Sequence, residues 1–133
     1  MNLVAMASLN NPEDSIGVFF NTNHEQREAL RYLKERVGTP IQAYISRSKQ
    51  HREIDFTKNG IYLITYRSAK GLEFDTVFLP NLHKHRTDAN IIDKKMEFYV
   101  LVSRARNILV LMSERDNVPR FMRSIPESLF TVH

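Results

Sequence analysis

Short runs of apolar residues, separated by polar segments, dominate the pattern of this chain. Each run is bounded by polar or turn-forming residues and has the length of a strand that is buried on both faces. The predicted strands are Ile16 to Phe20, Ile41 to Ile45, Ile61 to Thr65, Thr76 to Pro80 and Ile108 to Ser113. Such strands belong in the interior of a sheet.

Helical segments are predicted between these strands. His24 to Arg36 carries its apolar residues on one side, with Asn23 as the predicted N-cap and Gly38 just past the end. Lys94 to Arg106 is predicted to be a second helix, and a short last helix is predicted near Pro119. Strands that alternate with helices indicate an α/β fold with a mainly parallel sheet flanked by helices.

Length and composition favour one domain over residues 1–133, with a polar lead-in at 1–15. With 133 residues, 42% of them hydrophobic, the chain is long enough to bury a core of its own. A net charge of +4 is compatible with a polyanionic partner such as nucleic acid. The absence of cysteine excludes disulfides and thiolate metal sites and favours a reducing, cytoplasmic location. No signal peptide or membrane span is predicted.

A polar turn between two predicted strands is the most unusual feature of the sequence. The stretch TYRSAKGLEFDTVFLP, Thr65 to Pro80, has strand-like ends and carries Lys70, Gly71 and Glu73 between them. In a parallel sheet, function collects where the strands end, and Asn21 to Asn23 follow another strand in the same way. On position alone, Lys70 and Glu73 are solvated loop charges.

The residues of this turn also follow a known motif in order. The matching positions are Thr65, Ser68, Ala69, Lys70, Gly71, Leu72, Glu73 and Phe74, with Val77 beyond. They resemble motif V of superfamily 1 DNA helicases of the UvrD/Rep type, T-x-H-S-A-K-G-L-E-F-x-x-V. Arg67 stands where that motif has histidine.

Two further segments resemble motifs of the same family, in the family's order. FYVLVSRARNILVL resembles motif VI, Y-V-x-x-T-R-A, through Tyr99, Val100, Ser103, Arg104 and Ala105. IGVFFNTNHEQREAL resembles motif IV, R-T-N-x-Q, through Thr22, Asn23 and Gln26, with Asn21 in place of the arginine. Together the three motifs span most of the chain.

The resemblance implies the second RecA-like, P-loop NTPase-like domain of such a helicase. In the family, two RecA-like domains clamp ATP, and the first supplies the Walker A lysine and the acids that bind magnesium. This chain contains no G-x-x-x-x-G-K-[ST]. ATP and Mg are therefore expected to be bound chiefly by a first domain, in the same longer chain or in a separate one. The isolated chain is expected to be inactive and to hold no metal.

The resemblance also implies a role for individual residues toward ATP. Arg104 matches the arginine finger, a fixed cation against the charge that develops on the γ-phosphoryl group. Glu73 matches the glutamate that contacts the ribose, and Gly71 lets the backbone bend or a ligand approach. Tyr99 would orient the motif VI helix or reach the nucleotide. The simpler interpretation of Arg104 is a surface cation like Arg106.

Single-stranded DNA is the second ligand that the resemblance implies. Thr65 and Ser68 match residues that contact its backbone, and Arg67 could meet a phosphate in place of the family's histidine. Lys70 could contact DNA, couple the turn to the nucleotide, or cap a neighbouring element. Tyr66 is predicted to pack in the core. One edge of the sheet is expected to hold Asn21 to Asn23, Thr65 to Glu73 and, on its helix, Arg104.

Two departures from the family bear on function. Asn21 lacks the cation of motif IV, which the family brings toward phosphate, so a degenerate module that binds nucleic acid or protein without hydrolysis stays an alternative to the motor domain. The segment from Arg36 to Thr65 is too short for an inserted domain, so no accessory domain is expected. An unrelated small α/β protein is the third interpretation.

Overall fold

A computed structural model describes residues 1–38, 40–43, 59–69, 71–80 and 103–112, with Arg67 described by its backbone alone. The elements in chain order are α1 (Asn2–Asn10), β1 (Ser15–Phe20), α2 (Asn23–Lys34), β2 (Ile41–Ala43), β3 (Gly60–Thr65), a 3-10 helix (Tyr66–Ser68), β4 (Phe74–Leu79) and β5 (Ala105–Leu111). No helix in this described part of the chain is both long and apolar enough to cross a membrane.

The five strands form one sheet in the order β2-β3-β1-β4-β5. Every pairing is parallel, which confirms the predicted α/β architecture. All six residues of the central strand, β1, are buried, as its continuous apolar run predicts. Because all strands run the same way, the sheet has an amino edge, where the strands begin, and a carboxyl edge, where they end.

The core lies on both faces of this sheet, since successive side chains of a strand point to opposite faces. On one face, α1 and α2 pack their buried residues Val4, Ala29 and Leu33 against Val18 and Phe20 of β1. The other face has a cluster formed by Phe19, Tyr62, Ile64, Tyr66, Ala69, Phe74, Val77 and Leu79. Its members Tyr66 and Ala69 come from the segment after β3, so this segment crosses that face, and the predicted core position of Tyr66 is confirmed.

The first fifteen residues differ from the predicted polar lead-in. Asn2–Asn10 form α1, which buries Val4, Ala5 and Ser8. The start of α2 also differs by one residue, because Thr22 is the N-cap and its side chain accepts a hydrogen bond from the Glu25 amide at 3.2 Å. Asn23 is instead the first helical residue.

The last two strands begin earlier than predicted. β4 starts at Phe74 and not at Thr76, and β5 starts at Ala105 and not at Ile108. The predicted helix over Lys94 to Arg106 is therefore wrong at its end, where residues 105 and 106 belong to a strand. Its residues 94–102, and the helix predicted near Pro119, lie outside the described part of the chain.

Candidate functional site

The predicted site residues lie on two edges of the sheet. At the carboxyl edge, Asn21 follows β1, and Thr65 to Ser68 end β3 and form the 3-10 helix. At the amino edge, Glu73 directly precedes β4 and Arg104 directly precedes β5. A six-residue strand with a rise of about 3.3 Å per residue separates these edges by about 20 Å. The prediction of one shared edge is therefore wrong for Glu73 and Arg104.

The reason is the crossover between β3 and β4. Both strands are parallel to β1 and lie on either side of it, so the chain must return from the carboxyl edge to the amino edge before β4 begins. The segment after Thr65 makes this return and ends at Glu73. A single polar turn in the sequence thus has its two ends at opposite edges.

At the amino edge, the backbone brings Glu73 and Arg104 together. The Phe74 amide donates to the Arg104 carbonyl at 2.9 Å, and Phe74 pairs with Ala105 in the ladder. The Glu73 side chain is exposed and Arg104 is half-buried. Arg104 Nη2 donates to Ser103 Oγ at 3.1 Å. A carboxylate and a guanidinium are thus presented from two adjacent strand starts.

Gly71 sets the turn that delivers Glu73. Its φ is +82°, a backbone conformation that side-chain-bearing residues rarely adopt. A Cβ placed there would meet no atom of the described residues within 4 Å, so the backbone conformation, and not crowding, requires glycine. The next residue, Leu72, packs against the core cluster of Phe74, which fixes the turn on the sheet.

A second amino-edge cluster was not predicted from the sequence. The Ser15 amide and hydroxyl both donate to Asp75 Oδ2, at 2.9 and 3.2 Å, and the Asp75 amide donates to Ser15 Oγ at 3.0 Å. Arg106 Nη2 lies 3.2 Å from Asp75 Oδ1 and donates to Ser15 Oγ at 3.3 Å. The Ser15 amide, followed by the Arg106 charge, lowers the pKa of Asp75. Arg106 is thus an exposed cation, as expected, but it is paired with Asp75 and lies in a strand.

At the carboxyl edge, the two predicted DNA-contacting hydroxyls contact each other. Thr65 Oγ1 donates to Ser68 Oγ at 3.3 Å, and the Ala69 amide donates to the Thr65 carbonyl at 3.1 Å, which closes the turn. Both side chains are partly exposed. Lys70 and Tyr99 lie outside the described residues, as does the side chain of Arg67.

The start of α2 is tied to this carboxyl-edge turn. Gln26, which matches the motif IV glutamine, is fully buried, and its Nε2 donates to the Leu63 carbonyl at 2.6 Å. Leu63 is two residues before Thr65 in β3. Asn21 is exposed at the same edge. Asn21, which stands in place of the motif IV arginine, therefore lies at the carboxyl edge, about 20 Å from Glu73 and Arg104.

The described residues include no group of three His, Cys, Asp or Glu side chains that could hold a metal ion. The amino edge presents a guanidinium, from Arg104, and a carboxylate, from Glu73.

Comparison with known proteins identifies the family of this chain. The family model of the UvrD-like helicase C-terminal domain matches residues 10–116, and the chain belongs to this family. It is 32% identical over 97 residues to the ATP-dependent DNA helicase PcrA of Staphylococcus aureus strain Mu50, a match that covers 58% of this chain and 13% of PcrA. PcrA of Staphylococcus epidermidis strain RP62A is 31% identical over the same length. The chain thus matches only a small part of these relatives.

A solved structure supports the same fold. The crystal structure of the C-terminal domain of a possible DNA helicase from Lactobacillus plantarum WCFS1 superposes with a TM-score of 0.70. The two chains are 22% identical, and the match covers 98% of this chain and 74% of that one. The predicted family and the RecA-like α/β fold are confirmed.

Proposed function

We propose that this chain is the second motor domain of an ATP-dependent DNA helicase. Its amino edge contributes Arg104 and Glu73 to an ATP molecule held mainly by a separate Walker A domain, which also binds magnesium. Its carboxyl edge forms part of the single-stranded DNA track. The observation that carries the proposal is the 2.9 Å bond from the Phe74 amide to the Arg104 carbonyl, which brings the two nucleotide-contacting candidates side by side.

Toward ATP, the two side chains have different tasks. Arg104 places a fixed charge against the γ-phosphoryl group, whose negative charge grows in the transition state. The Glu73 carboxylate accepts hydrogen bonds from the ribose hydroxyls, which are present throughout the reaction. Gly71 supplies the turn that brings Glu73 to the edge, and Tyr99, by its match to motif VI, would help to orient Arg104 or reach the nucleotide. Arg104 therefore acts on the rate, and Glu73 acts on affinity.

Toward DNA, the carboxyl edge offers hydroxyls and cations. In the hydrogen bond between Thr65 and Ser68, Thr65 uses its proton, so the proton of Ser68 is available to a phosphate oxygen. Arg67 and Lys70 would add charge contacts, which weaken as salt concentration rises. The net charge of +4 supports a polyanionic ligand.

The alternative of a degenerate, non-hydrolysing module depended on Asn21. That residue follows β1 at the carboxyl edge, so its lack of charge removes no cation from beside Glu73 and Arg104. The position of Asn21 supports weaker DNA contact, and it gives no argument against hydrolysis.

The test is steady-state ATP hydrolysis by the full-length protein with its Walker A domain, with and without single-stranded DNA. Arg104→Ala should lower kcat about a thousandfold or more, with little change in nucleotide affinity. Arg104→Lys should fail too, because lysine lacks the planar fork that spans two oxygens. Arg31→Ala, on an exposed part of α2, is the matched control.

If Arg104→Ala hydrolysed ATP at nearly the rate of the unmodified protein, the assignment of Arg104 as the arginine finger would be contradicted. The degenerate, non-hydrolysing module would then be the better interpretation. The 133-residue chain alone should hydrolyse no ATP, because most phosphate contacts belong to the Walker A domain. ATP turnover by the pure chain that is lost on Arg104→Ala would contradict that expectation.

A further inference from the structure

The cluster of Ser15, Asp75 and Arg106 joins the starts of three neighbouring strands. Ser15 is the first residue of β1, Asp75 the second of β4, and Arg106 the second of β5. The Ser15 hydroxyl donates one hydrogen bond and accepts two, which is its full capacity. The Asp75 side chain is 25% exposed and that of Arg106 50% exposed, so this network is partly buried.

The ladder between β4 and β5 is irregular at the same place. Phe74 pairs with Ala105 and Thr76 with Ile108, so two steps along β4 correspond to three steps along β5. One extra residue in β5 is a β-bulge, which locally disrupts the ladder and bends the strand. Among the described strands, β5 is also an outermost one, with β4 as its neighbour. Arg106 lies within this bulge, and its ion pair with Asp75 crosses it.

Arg104 is two residues before Arg106, in the turn that leads into the bulge. Its direction therefore depends on how firmly the first residues of β5 are held against β4. The Phe74 amide holds the Arg104 carbonyl on one side. On the other side, the bulged strand is held by the side chain of Arg106 on Asp75.

We propose that Asp75 is a positioning residue for Arg104, because its ion pair with Arg106 fixes the bulged start of β5 on the sheet. The inference rests on the proposed role of Arg104 toward ATP. It assigns different tasks to the two arginines: Arg106 is the anchor, and Arg104 is the cation presented to the phosphoryl group. Asp75 itself touches no substrate.

The test is a double-mutant cycle in the full-length protein, measured as single-turnover ATP hydrolysis in the presence of single-stranded DNA. Asp75→Asn should lower the hydrolysis rate roughly tenfold to a hundredfold, as a misplaced catalytic group does. The dissociation constant for ATP should change little. In the Arg104→Ala background, Asp75→Asn should cause no further loss, because the residue through which it acts is gone.

Arg106→Gln is a second variant that breaks the ion pair, since that side chain is 50% exposed and its replacement leaves the partly buried hydrogen bonds between Ser15 and Asp75 in place. It should reproduce the same loss and the same dependence on Arg104. Glu28→Gln, which breaks the exposed pair of His24 and Glu28 on α2, is the matched control and should leave the rate unchanged.

Equal losses from Asp75→Asn with and without Arg104 would overturn the proposal, because the residue would then act independently. The proposal would also be overturned if Asp75→Asn and Arg106→Gln both left the hydrolysis rate unchanged while Arg104→Ala lowered it strongly. That result would be consistent with Arg104 as the arginine finger. If Arg104→Ala itself left the rate unchanged, the proposed function would fail first.

Discussion

The two edges of the sheet are built from different chemistry. The amino edge has charged side chains fixed across strands: Asp75 pairs with Arg106, and Glu73 lies beside Arg104. At the carboxyl edge, hydroxyls fix local turns, in Thr22 and Thr65, and the Gln26 amide ties α2 to β3. A parallel sheet thus keeps two kinds of contact about 20 Å apart, while one crossover from Thr65 to Glu73 joins them. This separation gives each edge its own set of informative mutations.

Gly17 offers the largest structural perturbation of the amino edge. A Cβ at this position would lie 2.5 Å from Cδ2 of Phe74, the residue whose amide holds Arg104. Phe74 is fully enclosed, with its ring centroid 5.3 Å from that of Tyr62, so it has little room to move. Gly17→Ala should reduce the free energy of unfolding by about 1–3 kcal/mol, the usual cost of overpacking, measured by urea unfolding of the chain.

The matched control is Gly38→Ala. A Cβ there would meet no atom within 4 Å in the described part of the chain, and Gly38 is exposed. Its stability should stay within about 0.5 kcal/mol of the parent, as for most surface changes. Equal losses in the two variants would show that the contact with Phe74 is not the cause.

Thr22 offers a smaller perturbation, confined to the carboxyl edge. Thr22→Ala removes the side-chain acceptor of the Glu25 amide and should cost about 1 kcal/mol. Hydrogen exchange at the first turn of α2 should accelerate, while ATP affinity of the full-length protein should not change. Thr22→Ser keeps the acceptor and serves as the control. Faster exchange in Thr22→Ser as well would contradict the capping role.

The smallest effect concerns the pH dependence of the amino edge. The pKa of Asp75 is lowered from its ordinary value of 3.8, so the charged form stabilises the fold above that value. This stabilisation is lost as pH falls through the lower pKa of the folded state. Asp75→Asn should therefore cost about 1 kcal/mol or less at pH 6, and the difference from the parent should shrink below pH 4 in urea unfolding. A difference that stays constant down to pH 2 would contradict the ion pair.

The strands that were predicted well are those whose burial is uniform. β1 and β3 are continuous apolar runs in the sequence and are buried along almost their whole length, so pattern and structure agree within one residue. α1 was missed because only a few of its residues are buried, while Leu3, Met6 and Leu9 stay exposed, so the sequence has no clear helical period.

The misplaced starts of β4 and β5 have a common cause. Asp75 and Arg106 are ionisable, and a pattern of hydrophobic positions assigns such residues to loops. In the structure they pair with each other, which allows both to lie inside strands. The local sequence carries no sign of this partnership, because the two residues are 31 positions apart. The wrong edge predicted for Glu73 has a different cause, the crossover from β3 to β4.

The motif residues themselves were found from the resemblance, whereas the cluster that supports them was not. Thr65, Glu73 and Arg104 belong to ordered motifs, so the sequence alone selects them. Ser15 falls outside every motif that was recognised, and its role depends on the parallel pairing of β1 with β4. A hydroxyl and a carboxylate at neighbouring strand starts become a recognisable signal only once strand order is known.

The most direct test of the two-edge account is a pair of equilibrium titrations of the full-length protein, one with a fluorescent ATP analogue and one with single-stranded DNA. Glu73→Ala should weaken nucleotide binding about tenfold or more, the value of hydrogen bonds to a charged group, and leave DNA affinity unchanged. Ser68→Ala should weaken DNA binding about tenfold or more, because its hydrogen bond to a phosphate oxygen is also a bond to a charged group, and leave nucleotide affinity unchanged. If each variant weakened both ligands equally, the separation of ATP and DNA between the two edges would be contradicted.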